Sequence, residues 1–145
     1  MNETIERNED AKDDGHGRRV AFVTFGCRLN KAEALDLEAQ YAAADFIICR
    51  AGALTIAELA AAGLGGILVP FPFAVDDHQT KNAQYLVQGK AALCVPQPEF
   101  TVEKMSKQIN ELTREQCLEW ATNARKLAKP HAADDIANAV LACVK

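Results

Sequence analysis

At 145 residues, with 49% hydrophobic and 6% aromatic side chains, the chain fits one α/β or α domain of ordinary size and excludes a two-domain enzyme. Sixteen Lys and Arg stand against 20 Asp and Glu, and the whole excess of −4 falls in residues 1–17, which hold six acids and two bases. The neutral remainder lacks the basic face on which nucleic-acid binding relies, so no nucleic-acid partner is expected. No apolar stretch approaches the ~20 residues of a membrane-spanning helix, and the acidic start is no signal peptide, so the expected location is cytoplasmic.

Residues 1–17 contain one aliphatic side chain beyond Met1, Ile5, and end in Gly15-His16-Gly17, the composition of a disordered acidic leader. Arg18 to Phe25 is a β-branched and aromatic run suited to a buried strand, and Leu29 to Ala44, rich in Ala, Leu and Glu, predicts a helix. Asp45 to Cys49 reads as the next strand. Thr55 to Leu64 predicts a helix closed by Gly63, and Gly66 to Val69 a short strand stopped by Pro70 and Pro72. A helix over His78 to Gly89 and a strand over Ala91 to Val95 follow. This alternation predicts an α/β fold with a parallel sheet and crossover helices. Beyond it, Val102, Met105, Ile109 and Leu112, then Cys117, Trp120 or Ala121, Ala124 and Leu127, then Ile136, Val140 and Cys143 recur at helical spacing. They predict three amphipathic helices that close the domain.

Five cysteines (Cys27, Cys49, Cys94, Cys117 and Cys143) are odd in number and widely spaced, without a CxxC pair. Neither a disulfide framework nor a metal site is expected, and most should be reduced, buried thiols.

The stretch Arg50-Ala51-Gly52-Ala53-Leu54-Thr55 lies where a strand ends and a helix begins. In an open parallel sheet ligands collect at the carboxyl ends of strands, where a helix N-terminus offers N–H groups and partial positive charge to an anion. Gly52, with Ala51 and Ala53, lets a phosphate approach the backbone, and Glu58, read as lying in the first helical turn, can accept hydrogen bonds from a sugar diol. The same turn also serves as an ordinary connection in any α/β domain. After the next strand comes PFPFAVDDHQTKNA, in which Asp76 or Asp77 can cap the helix beginning near His78. His78 and Gln79 then offer neutral donors and acceptors to sugar hydroxyls, or simply form the exposed polar first turn of a capped helix.

From about Tyr41 to Lys145 the ordered succession RxGALTxxE, AAAG, VPxP and DDHQTxNA, with KPHAADD further on, resembles the carboxyl-terminal domain of the MurG family of peptidoglycan glycosyltransferases, a domain of the glycosyltransferase family 28 type. The resemblance covers about 105 of the 145 residues. It implies a Rossmann-like sheet with flanking helices, the donor-binding half of a GT-B glycosyltransferase. The implied reaction transfers N-acetylglucosamine from UDP-N-acetylglucosamine to the undecaprenyl-linked muramyl-pentapeptide lipid, with inversion and without a bound metal or cofactor. It implies that Arg50, Ala51, Gly52, Ala53, Leu54 and Thr55 border the nucleotide diphosphate, that Glu58 holds the ribose hydroxyls, and that His78 and Gln79 reach the sugar. No catalytic residue is assigned. Family members associate peripherally with the cytoplasmic face of the inner membrane.

The acceptor domain of that family has no counterpart in the sequence, so the chain by itself is expected to bind UDP-sugar weakly and to be inactive, the lipid-linked acceptor being bound only if that domain is supplied. Arg19 to about Ala39 (RVAFVTFGCRLNKAEALDLEA) instead resembles the opening of the radical-SAM tRNA methylthiotransferases, in which the residue matching Cys27 binds an iron–sulfur cluster. The further cysteines such a cluster needs are missing, so no cluster is expected at Cys27. The expected organisation is a leader over residues 1–17, a foreign strand and helix over 18–40 that pairs beside the sheet, and the glycosyltransferase-type domain over 41–145. Two other readings are a non-catalytic nucleotide-binding or interaction module and a non-functional gene remnant.

Overall fold

The computed structural model describes residues 12–13, 19–23, 41–73 and 75–144. Four parallel strands, β2 (Arg19–Val23), β3 (Phe46–Cys49), β4 (Gly66–Leu68) and β5 (Ala92–Cys94), lie side by side in chain order, and β1 (Lys12–Asp13) runs antiparallel to β2. β2 takes the place beside the sheet anticipated for RVAFVTF, with Val20 opposite Phe46 and Val23 opposite Cys49. Lys12 and Asp13, read as part of a disordered leader, are strand residues here; the rest of residues 1–17 lies outside the described residues, as do Cys27 and all of the helix expected over Leu29 to Ala44 except its end. Tyr41 to Ala43 form that helical end.

Parallel neighbours in chain order require crossovers that all return on the same side. Accordingly α1 (Ala53–Ala62) and α2 (His78–Gln88) share one face of the sheet, where Ile56, Leu59, Ala83 and Leu86 pack on Ile47, Cys49 and Leu68. Successive strand residues point to opposite faces, so Phe46, Ile48, Ile67 and Val69 face the other way. There they meet Met105 of α3 (Val102–Glu111) and Cys117 of α4 (Arg114–Leu127), giving a three-layer domain. Thr101 caps α3 and a capping box between Thr113 and Gln116 starts α4. The guanidinium of Arg125, in the last turn of α4, donates to the carbonyls of Ala61 and Ala62 at the end of α1. Gly63, at φ 67°, ends α1 in the left-handed conformation that a side chain disfavours.

The last helix departs from expectation. α5 (Ala132–Cys143) has the anticipated periodicity but buries no residue, and Ile136, Val140 and Leu141 are exposed. It does not close the domain, because both faces of the sheet are already covered by α1 to α4. The cysteines also divide: Cys49 and Cys117 are buried, Cys94 is half-buried and Cys143 exposed, all four as free thiols.

Candidate functional site

The carboxyl ends of β3 and β4 are in register, with Cys49 opposite Leu68 and the Val69 amide donating to the Cys49 carbonyl at 2.8 Å. The two following loops therefore leave the sheet side by side. The first runs from Arg50 to Gly52 and enters α1 two residues earlier than the sequence suggested, at Ala53. Gly52 is the N-cap in extended backbone (φ −65°, ψ 147°), and no side chain caps the helix. The opening N–H groups of α1 have no partner within the helix, and they point out of the carboxyl edge of the sheet. A Cβ on Gly52 would meet nothing of this chain nearer than Thr55 Oγ1 at 3.5 Å. The space over Gly52 is therefore open to a ligand.

The early start of α1 corrects one reading. Glu58 belongs to the second turn, and the first turn contains no acid. The helix field decays within about one turn, so the dipole does not explain a carboxylate at this position. Glu58 is half-buried, at the border of the face formed by Thr55, Ile56, Leu59 and Ala60. Thr55, 8% exposed, is the one buried polar residue among those described. Ala51 is fully buried, whereas Ala53 and Leu54 stand out at the mouth of the loop.

The second loop passes Pro70 to Phe73 and enters a short 3-10 turn, Val75–Asp77, before α2 begins at His78. Asp76 and Asp77 both adopt left-handed backbone, with φ of 54° and 52°. Aspartate tolerates this conformation better than most residues, though at some cost in strain. Asp77 occupies the N-cap position, but its carboxylate accepts from the Thr80 hydroxyl at 2.6 Å and caps no backbone group. The capping anticipated for Asp76 or Asp77 is thus replaced by a side-chain contact, the Asp77 carboxylate meeting the Thr80 hydroxyl rather than a helix amide. α2, like α1, presents its N-terminus without a side-chain cap.

Three side chains fix the spacing of the loops. The Arg50 guanidinium donates through Nη1 to the carbonyls of Val69 and Pro70, both at 3.3 Å, and lies over the Phe71 ring with its carbon 5.6 Å from the centroid. Asn82 Nδ2 donates to the Ala51 carbonyl at 3.1 Å, tying α2 back to the first loop. Gln79 Oε1 accepts from the Phe71 amide at 2.9 Å. That contact requires an acceptor, so it fixes the orientation of the Gln79 amide and directs its donor NH2 away from the loop. His78 is exposed at the first position of α2. The structure thus brings all nine residues singled out in the sequence to one edge of the sheet, and it gives Arg50 and Gln79 contacts within the chain itself.

Asn82 was missed by the residue-level reading. It lies on the same side of α2 as Gln79 and His78, three and four residues later, and it stands in the DDHQTxNA succession, where no role was given to it. Among the described residues no group of three His, Cys, Asp or Glu side chains converges as a metal site, and no helix is long and apolar enough to cross a membrane.

A family model described as the glycosyltransferase family 28 C-terminal domain matches residues 29–140. A protein of Neisseria meningitidis serogroup C named "UDP-N-acetylglucosamine--N-acetylmuramyl-(pentapeptide) pyrophosphoryl-undecaprenol N-acetylglucosamine transferase" is 59% identical over 108 residues, 74% of this chain and 30% of the relative. A protein of the same name from Ralstonia nicotianae is 42% identical over 133 residues, 92% of this chain and 33% of the relative, and its alignment extends into the segment before Tyr41. The crystal structure of Acinetobacter baumannii MurG superposes with a TM-score of 0.69 at 31% identity, over 85% of this chain and 43% of that one. The chain therefore spans about a third of the length of the curated relatives it matches.

Proposed function

The chain belongs to glycosyltransferase family 28, as its C-terminal domain, and from that premise we propose that the carboxyl edge of its sheet binds the diphosphate of UDP-N-acetylglucosamine as glycosyl donor. The observation that carries this reading is the pair of neighbouring helix N-termini, α1 and α2, both without side-chain caps and held in register by Arg50 and Asn82. Two such termini supply N–H donors and partial positive charge to one dianionic group. The backbone from Gly52 to Thr55 lies against the phosphates, Glu58 accepts from the ribose diol, and the exposed His78 and the amide NH2 of Gln79 reach the sugar. Arg50 acts on the phosphates indirectly, by setting the distance between the loops.

In this reading the relatives' reaction explains why the donors are arranged as they are. When the glycosidic C–O bond breaks, negative charge grows on the departing UDP, and fixed amide dipoles stabilise it without reorganising. The transfer to a pyrophosphoryl-undecaprenol acceptor, which the relatives' name specifies, is the activity we assign to the whole enzyme of which this fold forms a part, at the cytoplasmic face of the membrane that holds the lipid.

Hydrogen exchange tests the phosphate turn directly. Millimolar UDP should slow exchange of the amides of Ala53, Leu54 and Thr55, and Gly52→Val should abolish that protection while leaving the melting temperature close to that of the parent. The fold tolerates the substitution because the added side chain occupies ligand space and the backbone at Gly52 is ordinary extended chain. Equal exchange with and without UDP would remove the nucleotide from this loop.

A further inference from the structure

Tyr41, at the end of the helix that precedes β3, is 6% exposed and packs in the core with Cys49, Ile56, Leu59 and Ala60. Its hydroxyl is buried and has no hydrogen-bond partner, a condition shared among the described side chains only by Gln108 Oε1. A buried donor without an acceptor destabilises a fold, and phenylalanine would fill the same volume without that penalty. The hydroxyl therefore points to a state in which it is bonded.

The cluster that holds the ring lies on the α1 side of the sheet. Burial, followed by the negative charge of Glu58 and then by Cys49, pushes the Tyr41 phenol above its ordinary range, so it keeps its proton and remains a donor. Of these neighbours Glu58 is the strong acceptor. It lies in the second turn of α1 between Ile56 and Leu59, both of which share the core with Tyr41, and it is half-buried. A carboxylate has about four acceptor positions, so it can receive a vicinal diol and one further donor together.

We propose that Tyr41 is a positioning residue for Glu58: in the nucleotide-bound site its hydroxyl donates to the Glu58 carboxylate and holds it turned toward the ribose 2′ and 3′ hydroxyls. The inference rests on the nucleotide-sugar reading of the site and adds to it the group that orients its acid. An acid held by a buried phenol meets the diol in one geometry, whereas an acid on an exposed helix surface samples several.

The test compares UDP with 2′-deoxy-UDP on the full chain, in the parent, Tyr41→Phe and Glu58→Gln, by calorimetric or NMR titration alongside a thermal melt. The parent should prefer UDP, and Glu58→Gln should erase the preference. Tyr41→Phe should lose about tenfold in UDP affinity, as for one lost hydrogen bond, with little change for the deoxy ligand and an unchanged or higher melting temperature. If Glu58→Gln erases the preference and Tyr41→Phe retains it, Tyr41 has no positioning role and the nucleotide site stands. Equal weakening of both ligands with a lowered melting temperature makes Tyr41 a packing residue and overturns the inference in the same way. A parent chain that does not bind UDP overturns the nucleotide reading and this inference together.

Discussion

Gly66→Val should sharply lower the thermal transition of this chain. A Cβ on Gly66 would lie 2.0 Å from the Ile47 carbonyl oxygen and 2.7 Å from Ile47 Cγ2, and the first of these is backbone of the adjacent strand. No rotamer change relieves that contact, so β3 and β4 must separate at Ile47↔Gly66, the pair from which their register runs. Overpacking a close-packed interior costs typically 1–3 kcal/mol and more when backbone must move; for valine at this position we expect about 3 kcal/mol or more, a large part of the ~5–15 kcal/mol that stabilises a domain. Gly65→Ala should show the same effect more mildly, since its Cβ would meet the Ala91 carbonyl oxygen at 2.2 Å and Trp120 Cβ at 2.5 Å. Gly52→Ala is the control, with a shift within about 0.5 kcal/mol. Circular dichroism melts of the three variants measure the series, and a Gly66→Val protein that melts like the parent would mean that β4 does not pair with β3 at this register.

The second large effect appears in alkali. Burial pushes the Cys49 thiol from its ordinary value of 9.0 up to about 12. Below pH 9 the folded and unfolded chains both keep this proton, and the stability it contributes is fully present. Between pH 9 and about 12 the unfolded chain releases the proton while the folded chain retains it, so stability falls as pH rises through that window. The shift corresponds to about 4 kcal/mol by its upper end, and Tyr41, displaced in the same direction from 10.0, steepens the decline. Urea unfolding at pH 8, 9, 10 and 11 should show the fall, and Cys49→Ala should flatten it while lowering stability at pH 8 through the lost packing. An equal slope in the variant would place the titration elsewhere.

Much of the site could be read from residue order because its chemistry is local. A turn of small residues after a β-branched strand, followed by a helix-forming run, produces a helix N-terminus at a sheet edge whatever else surrounds it. Gly52 and Thr55 were placed on that ground, His78 and Gln79 from the helix expected after Asp76 and Asp77, and the strands over Phe46–Cys49, Gly66–Leu68 and Ala92–Cys94 fall within the runs that predicted them. Glu58 shows where such reading missed a signal. Glycine is a far better residue before a helix than leucine, so Gly52 rather than Leu54 takes that place, and the earlier start moves the acid out of the first turn.

What tertiary structure alone decided concerns residues whose partners are distant in the chain. The family resemblance implies only that Arg50 borders the diphosphate; that its guanidinium contacts carbonyls 19 and 20 residues away is a matter of the fold. Asn82 reaches the Ala51 carbonyl across 31 residues, a contact that no periodicity announces. Three glycines in Gly63-Leu64-Gly65-Gly66 look alike in the sequence, but Gly63 answers to its own φ, whereas Gly65 and Gly66 answer to the backbone of Ala91 and Ile47. The periodicity of Ala132–Cys143 determined that a helix forms and could not determine that its apolar face remains exposed. Local propensity and pattern are properties of neighbouring residues and survive in the sequence; burial and close approach are properties of what the rest of the fold has already covered.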